Sequence, residues 1–128
     1  MHRSSRRTTG RAAVGHVVAH ATGAALLVNA VPHTVHALSG RPFPTPFADP
    51  PGEGDSTPAA NVLWGGINAV AGASLLLGVG RFRCGRDLDT AVTSAAALLA
   101  AYGISRHFSG VRARRDAAVA PAPVTSVP

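Results

Sequence analysis

AANVLWGGINAVAGASLLLGVG, residues 59–80, runs for twenty-two residues without a formal charge. At 1.5 Å rise per residue a helix of that length is about 33 Å long, enough to cross the hydrocarbon core of a bilayer. Val62, Leu63, Ile67, Val70, Leu75, Leu76, Leu77 and Val79 favour insertion, and Asn61 and Asn68 oppose it. Pro58 stands where a helix tolerates proline, at its first position. A second uncharged run, AAVGHVVAHATGAALLVNAV, fills residues 12–31. Pro32 follows it and is expected to end or kink the helix. The third run, Thr90 to Ile104, is shorter and rich in Ala. Leu88 and the snorkelling stem of Arg106 extend it to 88–106, which just reaches across a bilayer. The expected fold is all-α: a membrane domain over 12–108 with three transmembrane helices at about 12–31, 59–80 and 88–106.

The rest of the chain agrees with that reading. The stretch GRPFPTPFADPPGEGDSTP, residues 40–58, holds six of the ten prolines and three of the six acids. It reads as a Pro-rich outer loop with polyproline-like pieces. Residues 1–11 form a basic N-terminal tail, and residues 109–128 are expected to be a disordered C-terminal tail. Of the 128 residues, 46% are hydrophobic but only 14% are charged. An average soluble domain carries roughly 25% charged residues. The mean hydropathy of +0.19 includes both polar tails, so the middle is more apolar still. These proportions argue against a soluble enzyme and against a disordered chain.

All twelve basic residues are Arg. They flank the apolar runs instead of lining one face, which is what membrane topology demands and not a nucleic-acid footprint. With the N-terminus cytoplasmic, Arg3, Arg6, Arg7, Arg11, Arg81, Arg83 and Arg86 lie inside. Arg41, Arg106, Arg112, Arg114 and Arg115 then lie outside, so the preference is small. A third segment that did not cross would place eleven Arg on one side and one on the other. Three crossings in the cell membrane, with the acidic loop offsetting the outer Arg, are the expectation. Val35-His36-Ala37 after an apolar run resembles a signal-peptide cleavage site. The run is longer than the usual signal segment, so an uncleaved helix is expected. A lone Cys84 excludes an intramolecular disulfide framework and a Cys-based zinc site.

Inside the spans, small and polar residues recur at helical spacing. Asn61, Gly65, Asn68 and Gly72 share one helix face, as do Gly15, Ala19 and Gly23. Such patterns let helix backbones approach closely, with Asn bonding across. His16 and His20 are one turn apart, and counting from Arg11 puts His20 near the bilayer middle. Two His at that spacing are compatible with metal or haem, but no carboxylate or Cys inside a span completes a ligand set. No metal and no cofactor is therefore expected. The expected resting state of His20 is a hydrogen bond to a neighbouring backbone.

The outer ends of the three helices gather the remaining unusual side chains. They are Asn29, His33 and His36 from the first, Asn61, Trp64 and Asn68 from the second, and Arg106 and His107 from the third. The loop should fold back over them, with Phe43 or Phe47 touching Trp64. The alternatives are an aromatic belt with surface ion pairs, or a small binding site. Asn29-Ala30-Val31-Pro32-His33, residues 40–52, Asn61-Val62-Leu63-Trp64-Gly65 and Arg106-His107-Phe108 together resemble a group of small, uncharacterised integral membrane proteins of actinobacteria. The resemblance covers about residues 15–110 and implies a membrane location, without implying an activity. No nucleophile–base pair, paired carboxylates or phosphate loop is visible, so the chain is expected not to be an enzyme. Helix packing as a homo-oligomer or accessory subunit is the expected mode of action, in contact with lipid and without nucleic acid. A solute carrier lined by Asn61, Asn68 and His20, or a His-based haem or metal protein, is the alternative.

Overall fold

The computed structural model describes residues 3–120, with side chains from residue 10 onward. The architecture is all-α. Helix α1 is Arg3–Leu38, α2 is Pro58–Gly78 and α3 is Leu88–Val119. All three are long and apolar enough to cross a membrane. Two residues each of β1 (Phe43–Pro44) and β2 (Asp55–Ser56) pair antiparallel and pinch the base of the loop. Helix α1 is central, and both α2 and α3 pack against it.

Local signals set the helix ends. Gly40 takes a left-handed conformation after α1, and the Arg41 and Gly40 amides donate to the carbonyls of His36 and Ala37. This is a Schellman closure, which glycine adopts without steric cost. Thr57 caps α2 by accepting from the Ala60 amide, with Pro58 at the first position. Asp87 caps α3 by accepting from the Thr90 amide at 2.8 Å. That amide bond holds the Asp87 carboxyl below its ordinary pKa.

Three boundaries differ from those read in the sequence. Helix α1 does not stop at Pro32; it continues to Leu38. A proline inside a helix costs about 3 kcal/mol. Packing of His33 and His36 beyond it, described below, holds the last turn in place. Residues 3–11 belong to α1 and are not a separate tail. Residues 109–119 belong to α3, because Arg114 and Arg115 are anchored on the loop and this Arg- and Ala-rich segment favours helix. The end of the expected C-terminal tail, 121–128, lies outside the described residues.

At its closest, α1 meets α2 backbone to backbone. A Cβ on Gly23 would lie 2.8 Å from the Gly72 carbonyl oxygen, and one on Gly72 would lie 2.7 Å from the Gly23 carbonyl oxygen. Gly65 packs on His33 and Thr34 of α1, whereas Gly15 has open space around it. The interior is polar and small, and the exterior apolar. His20, His33, Asn61, Asn68 and Thr93 are buried, while Val62, Leu63, Val70, Leu77, Leu98 and Leu99 are exposed. That inversion suits a lipid environment, where polar groups must find partners inside the bundle.

Candidate functional site

The loop returns to the bundle through one side chain. Asn61, in the first turn of α2, is fully buried. Its Nδ2 donates to the carbonyls of Phe43 (2.9 Å), Thr57 (3.1 Å) and Ser56 (3.3 Å). Three carbonyls around Nδ2 fix the amide orientation, so Oδ1 accepts from His33 Nδ1 at 2.8 Å. In a neutral ring, His33 Nε2 is then left with its lone pair as an acceptor. The His33 ring is set edge-on to Phe43, Trp64 and Phe108.

Two turns deeper, Asn29 donates to Asn68 Oδ1 at 3.2 Å, and Asn68 donates to the Trp64 carbonyl at 2.8 Å. The loop's own bonds complete its order. Thr45 and Ser56 hydroxyls meet at 2.6 Å, and Thr45 is buried. Phe47 lies edge-on against Trp64, with ring centroids 5.6 Å apart. Phe43 stacks on His36 at 4.1 Å and tilts against Phe108 at 4.3 Å.

These contacts enclose an open cavity of about 390 Å³. Asn29, His33, Thr45, Gly52, Trp64 and His107 are among the residues that line it. His107 Nε2 lies 3.0 Å from the Gly52 carbonyl. The lining is polar at Asn29, His33, Thr45 and His107 and aromatic at Trp64 and Phe108.

Of the sequence-derived cluster, Asn29, His33, His36, Asn61, Trp64 and Asn68 come together, with His107 at the edge. Arg106 does not join them and is exposed. The loop acids are met instead just over two turns further along α3. Arg114 bonds Glu53 at 2.9 Å, and Arg115 bonds Asp55 at 2.8 Å and also the Glu53 carbonyl. The complementary signs of the loop and the last Arg group were the signal for this pairing.

His20 lies elsewhere. It is at the opposite end of the bundle, not near a mid-span plane. Its Nε2 donates to the Val79 carbonyl at 2.6 Å, and its Nδ1 meets Asp89 at 2.7 Å. Counting depth from Arg11 misplaced it because α1 begins at Arg3 and projects beyond the ends of its partners. Asp89, which local spacing marks as a cap, is the partner that sequence reading missed. Asn61 and Asn68 bond across α1 and α2, to His33 and Asn29. Among the described residues no group of three His, Cys, Asp or Glu is placed to hold a metal ion.

The chain matches no protein-family model, no curated protein and no solved structure.

Proposed function

We propose that this chain is a three-span protein of a bacterial cell membrane that works without catalysis, as a self-associating or accessory packing subunit. The observation that carries this reading is where the polar groups go. His33–Asn61, Asn29–Asn68 and His20–Asp89 are mutually satisfied inside the bundle. What remains outward is a hydrocarbon-compatible surface. On α2 that surface includes a notch walled by Val62, Leu63, Ile67 and Val70, with Gly66 open at its centre. An exposed glycine between large apolar side chains admits another helix closely.

The N-terminus is cytoplasmic in this reading. Seven Arg against Asp87 and Asp89 fall at the end holding residues 79–87, and five Arg against four acids at the loop end. The positive-inside rule then orients the bundle. The test is mass in lipid nanodiscs with crosslinking. A dimer or larger assembly is expected for the native chain, and a monomer for Gly66→Leu with unchanged helicity. A native chain that stays monomeric and captures no membrane partner contradicts the packing role.

A further inference from the structure

A second opening lies between α1 and α3 and is lined in part by His36, Phe43 and Phe108. It is a groove of about 450 Å³. Val28, Val31 and Val35 form one wall, and Ala101, Ile104 and Phe108 the other. The rise from Val28 to Val35 gives it a length of about 10 Å. At the loop end it meets a smaller compartment of about 150 Å³. His36, Phe43, Phe108 and Arg112 belong to both, and Arg115 and Asp55 are among the residues that line only the smaller one. The opening is therefore apolar along the helices and cationic at its head.

At the head, one cation lacks an acid partner among the described residues. Arg112 is exposed, and its one side-chain hydrogen bond among the described residues is to Ser109 of its own helix, at 3.3 Å. Its neighbours Arg114 and Arg115 are committed to the loop acids. We propose that this groove binds one anionic phospholipid, with its phosphate on Arg112 and an acyl chain along the valine wall. The planar guanidinium donates two parallel bonds to a phosphate. The groove is open along its side, so a chain enters from the surrounding leaflet. Free phosphate would leave the apolar wall unused, and an uncharged lipid would leave the head unpaired. The inference rests on the membrane reading above but not on self-association.

The test uses the full chain in mild detergent with dioleoyl phosphatidylglycerol, counting bound lipid by native mass spectrometry. One lipid per chain is expected to be retained. Arg112→Gln should weaken retention about tenfold, the loss of a charged hydrogen-bond pair. Ala101→Trp, at an exposed position that fills the groove, should abolish it. Circular dichroism identifies either variant that fails to fold, and the surface change Arg112→Gln stands as the independent arm. Unchanged retention by Arg112→Gln, equal retention of dioleoylglycerol, or displacement by equimolar inorganic phosphate would overturn the proposal. A chain released from membranes by carbonate overturns the membrane reading itself. A membrane-bound chain that retains no lipid overturns only the groove.

Discussion

Asn61 uses both ends of its amide, one on the loop and one on α1. Removing it leaves the Phe43 carbonyl and the His33 Nδ1–H without partners in a buried place. Asn61→Ala should therefore lower stability by at least about 2 kcal/mol, the cost of leaving buried polar groups unpaired. Thermal melting in detergent measures this, and loss of Trp64 fluorescence contact with the loop should accompany it. At the other end, both ring nitrogens of His20 face oxygen. Asp89→Ala strands His20 Nδ1 and should cost about 1–3 kcal/mol by the same measurement. An unchanged melting temperature would mean that water replaces the carboxylate there. The polar residues were legible in the sequence because Asn and His interrupt apolar runs. Their partners were not. Asp89 lies 69 residues from His20, and local spacing offers it only the role of a cap.

Two glycines of one small-residue stripe on α1 look alike in sequence, yet only one is at a crossing. Gly23 meets the Gly72 backbone, while Gly15 meets nothing. Gly72→Leu should destabilise the α1–α2 pair by about 3 kcal/mol or more, since overpacking here strikes backbone and not a movable side chain. Gly15→Leu should leave the melting temperature unchanged or raise it slightly, because leucine favours helix over glycine. Equal effects at both sites would contradict the crossing. The face of α2 was readable from the four-three-four spacing of Asn61, Gly65, Asn68 and Gly72, and all four are buried. The register of α1 was not. It depends on where α1 begins and on Pro32 being carried through the helix, and both are decided by contacts remote in sequence. The aromatic packing of the loop on Trp64 was expected from its six prolines, which restrict the chain before it folds.

Over the whole molecule, charge and length explain each other. Helix α3 has 32 residues, about 48 Å at 1.5 Å per residue. It outruns a bilayer core by several turns, and the excess carries Arg114 and Arg115 onto Glu53 and Asp55. Such exposed pairs contribute only about 0–1 kcal/mol each. Their consequence is placement: they hold the end of α3 beside the loop and opposite residues 79–87. That pairing accounts for Arg residues at the loop end that a simple charge count disfavours. It was half legible in the sequence, as acids in the loop and bases after the third run, but not as named pairs. Cys84 is the chain's one cysteine and is exposed in the turn between α2 and α3. The most direct measurement compares it with a cysteine at Ala117, exposed near the end of α3, introduced in a Cys84→Ser background. In intact cells, an impermeant thiol reagent should label position 117 and spare Cys84, which a permeant reagent should reach. Labelling of both positions, or of neither, from outside would contradict three crossings with the loop and the end of α3 on one face.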